Sequence, residues 1–160
     1  MLSEKDMIIL GILKRNCKLT TREISEKTGM PITTVHNRIK KMEKDGIIRG
    51  YTTVVDNKKL GKSMKAFIQI TVTYSTSAGE RVSQEELAKK IYVLPEVEEC
   101  YIMTGTTDIL ISVSVSDVDE LNNFVINKLR NLEGVQNTLT AIVLSDASRL
   151  VSKQWIPVSA

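Results

Sequence analysis

Metal-binding and redox residues are scarce in this 160-residue chain, which holds one histidine, His36, and two cysteines, Cys17 and Cys100. There is no Cys-x-x-Cys pair, and a single histidine completes no zinc set, so no metal is expected. Both cysteines flank apolar segments and read as small core residues. Long apolar runs are also missing, since none approaches the roughly 18 residues of a membrane span. The stretch "MLSEKDMIILGILKRN" breaks its apolar residues with charges on both sides and does not read as a signal peptide. A cytoplasmic protein without membrane contact is therefore expected. No glycine-rich phosphate loop follows a strand, and no nucleophile stands with a base, so neither an enzyme nor a cofactor is expected.

Charge is present but unevenly placed. Residues 1–62 carry 14 Lys/Arg against 7 Asp/Glu, whereas residues 63–160 carry 8 against 12. The overall charge of +3 thus hides a basic N-terminal part joined to an acidic C-terminal part. A nucleic-acid-binding module attached to a second function shows this asymmetry.

The basic part reads as three helices. Ser3 with Asp6 caps a first helix bearing Met7, Ile8, Leu10, Ile12 and Leu13. Thr20 with Glu23 makes a capping box for the short "TREISEKT", and Gly29 follows where a helix ends at positive φ. Pro31 opens the third helix, where its missing N–H does no harm. Two helices joined by a tight glycine turn, the second longer and basic outside, make a helix-turn-helix. Gly46 closes the third helix, and "IIRGYTTVVD" alternates enough for a strand or wing. In the third helix Ile32, Val35, Ile39 and Met42 form one stripe, and Thr33, Asn37, Lys41 and Lys44 lie opposite it. Lys40 sits beside that face, with Thr34, His36 and Arg38 on its flanks. By itself this polar face suits either a polyanion or plain solvent.

Residues 56–63, "DNKKLGKS", read as a hinge. Beyond them "KAFIQITVTY" alternates as a strand, and "SQEELAKKIYVL" is a helix with Leu87, Ile91 and Leu94 inward. "VEECYIMTG" and "DILISVSVS" are strands, "DVDELNNFVINKL" a helix with Val118, Leu121, Val125 and Leu129 inward, and "VQNTLTAIVL" a last strand. A Leu-x-x-Val step, "LPEV" and "LEGV", follows each helix, so two βαβ units run in tandem. The expected fold class is α+β: an N-terminal winged helix-turn-helix plus a C-terminal ferredoxin-like β-α-β-β-α-β sandwich. Both helices would cover one sheet face, leaving Gln69, Thr71, Thr73, Leu110, Ser112 and Ser114 on the other. RNA-recognition domains share this order but stack bases on aromatics of the central strands. Here "DILISVSVS" has none and the domain is acidic, which argues against that function.

The segments "DMIILGIL", "REISEKTGM", "TTVHNRIKKMEKDGIIRGYT", "LPEVEECYIMTGTTDILISVSV" and "LEGVQNTLTAIVL" together resemble the Lrp/AsnC (leucine-responsive and asparagine regulator) family of prokaryotic transcription regulators, over residues 3 to 145. The chain departs from the family pattern at Pro31 and Ile32, where Ser and Pro are common, and at Asn37, where Arg is common. The resemblance implies a DNA-binding domain over 1–50, a hinge strand and linker over 51–63, an oligomerisation and effector-sensing domain over 64–145, and a tail over 146–160.

The resemblance favours double-stranded DNA as the partner of the third helix. Thr33, Asn37 and His36 are then placed for base edges, and Thr34, Arg38, Lys40, Lys41 and Lys44 complete the expected DNA-binding set, with the cations suited to phosphates. Arg22 and Arg49 are further backbone contacts or solvated surface. The family's effector lies between dimers near the loop joining the two middle strands, here "TGTTD". Asp108 would pair with the ammonium of an amino acid, and backbone N–H groups near Gly105 would hold its carboxylate, with Thr104 beside them. Gly134, Gln136 and Thr138 of "GVQNT" complete the implied lining, and Tyr101 and Met103 lie near enough to select a side chain. The same loop also has the composition of a plain hairpin turn. A homodimer that builds higher oligomers is implied, its hinge strand Tyr51–Val55 pairing with its mate. The tail, with Trp155, is expected to dock. The alternative function is an architectural protein that wraps or bridges DNA without sensing a ligand.

Overall fold

The computed structural model describes residues 2–73, 75, 79 and 81–146. These divide into two compact units, one up to Val54 and one from Val55. Tyr74 and the apolar tail with Trp155 lie outside the described residues.

The N-terminal unit holds α1 (Glu4–Arg15), α2 (Thr21–Thr28) and α3 (Ile32–Lys44). Both expected capping boxes form. The Ser3 hydroxyl accepts from the Asp6 N–H at 3.3 Å and the Asp6 carboxylate from the Ser3 N–H at 2.8 Å. Thr20 and Glu23 reciprocate at 3.2 and 2.7 Å. Gly29, at φ 70, ends α2 and donates to the Ser25 carbonyl at 2.8 Å. Pro31 takes the N-cap position of α3 without a side-chain cap bond. A Ser or Asp there is typically worth about 1 kcal/mol, so α3 relies more on its packing.

That packing is a core of Ile9, Leu13, Ile24, Met30, Val35 and Met42, with Ile39 and Ile48 against it. Met7 and Ile8 are exposed, and Ile9 is the fully buried residue of α1. One expectation is corrected here. Cys17 is exposed, its thiol donating to the Thr52 carbonyl at 3.8 Å, so it is no core residue.

The expected strand or wing after α3 does not form. Ile47 and Ile48 fold back to the Met42 carbonyl at 2.9 and 3.0 Å, and residues 49–56 are irregular. A strand needs a neighbour for its N–H and C=O groups, and among the described residues no strand pairs with this segment.

The C-terminal unit begins with a turn at residues 57–61, where Lys62 donates to the Asn57 carbonyl at 2.8 Å. It continues with β1 (Met64–Val72), α4 (Gln84–Tyr92), β2 (Val97–Ile102), β3 (Ile109–Val115), α5 (Val118–Asn123) and β4 (Val135–Ile142). The sheet order is β2-β3-β1-β4, antiparallel throughout, the ferredoxin-like arrangement. Ala66, Ile68, Ile70 and Val72 of β1, with Ile109, Ile111, Val113 and Val115 of β3, pack against Leu87, Ile91 and Leu121.

The second helix differs from expectation. Beyond Asn123 it widens into a π-helix, Phe124–Leu129, which brings Phe124, Val125 and Leu129 onto the sheet. Val118, expected inward, is 58% exposed. Leu121, Val125 and Leu129 are buried as the α-helical spacing expects, while the wider turn adds Phe124 to the buried face and Val118, in the first turn, stays outside.

Candidate DNA interface and effector loop

On α3 the polar residues fall as the helical period dictates. Thr33, His36, Asn37, Lys40, Lys41 and Lys44 are exposed, and Thr34 is half-buried. Lys41 and Lys44 form no ion pair with another described residue and lie in the last turn, where a helix C-terminus favours cations. Lys40 is shared. Its ammonium lies 3.1 Å from Glu43, which also accepts from the Tyr51 hydroxyl at 2.8 Å. Those two partners, Tyr51 first, lower the Glu43 pKa and keep it an anion beside the basic face.

Arg38 stands apart from the others. Its Nη1 donates to the Ser3 hydroxyl at 2.7 Å and to the Asp6 carboxylate at 2.8 Å, tying α3 to the first turn of α1. The hydroxyl of Ser3, then the Arg38 guanidinium, hold the Asp6 pKa at about 2.

The hairpin loop between β2 and β3 has a fixed base and an open tip. Met103 N–H donates to the Asp108 carbonyl at 2.8 Å, and Asp108 N–H to Ile70 at 3.0 Å. The ladder between β1 and β3 ends at the Ile70–Ile109 pair, so the next inward N–H of β1, that of Val72, has no strand opposite it. The Asp108 carboxylate takes that N–H at 2.8 Å with one oxygen and the Gln84 amide at 2.7 Å with the other. Asp108 thus continues the sheet edge with a side chain. Thr104, Gly105 and Thr106 at the tip are exposed, and their N–H groups have no partner among the described residues.

The "GVQNT" segment meets the base of this loop through β1, since Thr73 N–H donates to the Gly134 carbonyl at 2.9 Å. Gly134 is buried at φ 102, and a Cβ there would lie 2.7 Å from Val82 Cγ1. Gln136 is exposed, and the Thr138 hydroxyl accepts from Arg130 Nε at 2.9 Å. Asp108 and Gly134 are therefore brought together at one end of the sheet. Both are held by bonds or packing within the chain, while Thr104, Gly105 and Gln136 are exposed.

The sheet face away from the helices carries two cross-strand rows. Register aligns Tyr101, Leu110, Gln69 and Leu139 in one, and Glu99, Ser112, Phe67 and Ala141 in the other. Leu139 is 66% exposed and Phe67 38%. Ser112 and Ser114 of β3 are nonetheless buried. Ser112 donates to Glu99 at 3.2 Å, and Asn57 donates to Ser114 at 3.1 Å and to Glu98 at 2.5 Å.

Sequence reasoning missed Gln84, Asn57 and the partners of Arg38. No local motif marks the first two. The Ser3/Asp6 box was visible, but its second use, 32 residues away in sequence, was not. No described helix is long and apolar enough to cross a membrane, and no group of three or more His, Cys, Asp or Glu among the described residues is placed to hold a metal.

A basic helix-turn-helix followed by a ferredoxin-like sheet with an open hairpin loop defines a DNA-binding regulator carrying a ligand-binding domain. Residues 2–49 match the family model for a winged helix-turn-helix DNA-binding domain, and residues 65–151 match the Lrp/AsnC ligand binding domain. The chain belongs to the Lrp/AsnC family of transcriptional regulators. It is 38% identical over 143 residues to the HTH-type transcriptional regulator FL11 of Pyrococcus furiosus, covering 89% of each chain. Its fold superposes on E. coli AsnC with a TM-score of 0.78 at 32% identity, covering 91% of this chain and 94% of that one. A transcriptional regulator from Neisseria meningitidis in complex with L-Met gives 0.82 at 29% identity, covering 91% and 92%.

Proposed function

We propose that this regulator reads specific DNA sequences as an oligomer and that a small-molecule effector, an amino acid, bound at the 103–108 loop modulates it. The observation that carries this reading is the construction of that loop. Its base is pinned by Asp108 to Val72 and Gln84, while three consecutive N–H groups at its tip stay open. Backbone N–H groups left open to solvent are available to a carboxylate. The L-Met complex of the Neisseria regulator supports the ligand class.

At the DNA, α3 enters the major groove. Thr33 and Asn37 meet base edges, with His36 beside them, and Asn37 has the geometry to pair with adenine. Thr34, Lys40, Lys41 and Lys44 meet phosphates. A second copy covers the rows of Leu139, Phe67 and Tyr101, and the unpaired segment from Tyr51 to Val55 gains its missing hydrogen bonds across the two-fold axis. The domain boundaries that accompany this reading are 1–50, 51–63, 64–145 and 146–160, in a protein working in the cytoplasm.

A thermal-shift panel against the common amino acids tests the sensor. A ligand that binds only the native state raises the melting temperature, by about 4 kcal/mol of stabilisation at a thousandfold excess over Kd. Asp108→Asn and Gln84→Ala then separate contact from support. If Asp108 holds the ammonium, only the first abolishes the shift; if Asp108 is a strut, both weaken it alike. No shift with any amino acid favours the architectural reading.

A further inference from the structure

Arg38 lies on the flank of α3, one residue from Asn37, and its charge suits a DNA phosphate. Its surroundings assign it differently. The Nη1 group is committed to Ser3 and Asp6 at 2.7 and 2.8 Å. Nε is sealed from solvent without a partner, and the side chain as a whole is 30% exposed against 15% for Asp6. With Nη1 bonded and Nε sealed, the guanidinium is held against α1 in one orientation, and only its second amino group is left for a further partner. A second tie, from Glu43 to the Tyr51 hydroxyl, sits on the other flank. At about 100° per residue, Arg38 lies roughly 100° to one side of Asn37 and Glu43 roughly 120° to the other. Thr33, Lys41 and Lys44 all lie within roughly 40° of Asn37, between the two ties.

We propose that Arg38 is a positioning residue: clamped by Asp6 and Ser3 of α1, it fixes the rotation of α3 about its axis, and with it the aim of Thr33 and Asn37, without touching DNA itself. This rests on the reading that α3 occupies the major groove. Base contacts depend on side-chain direction, whereas phosphate contacts made by flexible lysines tolerate a turned helix. Loosening the clamp therefore reduces discrimination between sequences and spares non-specific affinity.

The test uses the full-length protein with a duplex that it selects from a random-sequence pool, and with a scrambled duplex of equal length. Asp6→Asn and Arg38→Gln should each reduce the preference for the selected duplex about tenfold, the order of one good base contact. The salt slope on the scrambled duplex should stay unchanged, and the double variant should be no worse than either single one. Arg38→Lys keeps the cation but shortens the arm and loses the fork; it should lose discrimination too, although a phosphate ligand would tolerate it. Melting curves accompany each variant, and Asp6→Asn and Arg38→Lys carry the test if Arg38→Gln does not fold.

The proposal is overturned if Arg38→Gln weakens both duplexes alike and lowers the salt slope by about 0.9, the signature of one lost phosphate contact. It is also overturned if discrimination survives in all variants. Asn37→Ala and Lys41→Ala run alongside. If both leave binding intact, α3 is not the groove helix, and the failure lies in the underlying reading, which takes the role of Arg38 with it.

Discussion

Replacing Gly134 by alanine tests whether the segment behind the effector loop is shaped by packing. Gly134 sits at φ 102, where an L side chain is strained, at a cost of about 1–2 kcal/mol. Its added Cβ would also lie 2.7 Å from Val82 Cγ1 and 3.2 Å from Leu87 Cδ2. Relieving such an overlap in a packed interior costs about 1–3 kcal/mol more. Gly134→Ala should therefore destabilise the protein by about 2–5 kcal/mol.

Gly105 supplies the control. It has a similar φ of 109 but no atom within 4 Å of the added Cβ, so Gly105→Ala should show the strain alone, about 1–2 kcal/mol. Urea unfolding of the full-length variants, followed by far-UV circular dichroism, reads both. Val82→Ala placed in the Gly134→Ala background removes the nearest overlapping methyl and should recover part of the difference. Equal losses for the two glycine variants, or no recovery with Val82→Ala, would refute the packing argument.

Acid stability provides a second check. Asp6 ionises at about 2 in the folded chain against an ordinary 3.8. A folded-state pKa below the unfolded one adds stability that is complete above about pH 4 and is lost as pH falls towards 2, on the order of 2 kcal/mol. Asp6→Asn should flatten that acid limb in pH-dependent melting; an unchanged limb counts against the Ser3–Asp6–Arg38 network. Lys41→Ala should lower the salt slope of DNA binding by about 0.9, and Asn37→Ala should relax base choice at one position, both read by titration across salt concentrations. Leu139→Glu puts a charge into the exposed sheet row and should shift sedimentation towards monomer; unaltered sedimentation would mean that this row joins no copies.

Much of the fold was legible because local chemistry and periodicity agreed. Ser3/Asp6 and Thr20/Glu23 place helix starts, Gly29 and Gly46 place helix ends, and the alternation of Ala66, Ile68, Ile70 and Val72 is the buried face of β1. What stayed hidden depends on atoms distant in sequence. The stretch 47–55 alternates like a strand, but alternation describes a surface and supplies no partner. The π-helical turn at Phe124–Leu129 leaves no mark in composition, and only its packing shows that Phe124 rather than Val118 points inward. Cys17 sits beside an apolar helix, yet that end of α1 is open.

In each candidate site the structure gives one charged residue partners within the chain, and the pattern has a physical basis. Arg38 and Asp108 have the chemistry of ligand contacts, and spacing puts each on the correct element. Both are hydrogen-bonded within the chain, Arg38 to Asp6 and Ser3, Asp108 to Val72 and Gln84. A charge that already makes such bonds at 2.7–2.8 Å is held in one orientation, and a further ligand is left the lone pairs or N–H groups that remain. The exposed polar groups without such bonds among the described residues are Asn37, Lys41 and Lys44 on α3, and the open N–H groups of Thr104, Gly105 and Thr106. Charge of the right sign identifies the neighbourhood of a site, and internal satisfaction decides which of its members stay behind to hold it in shape.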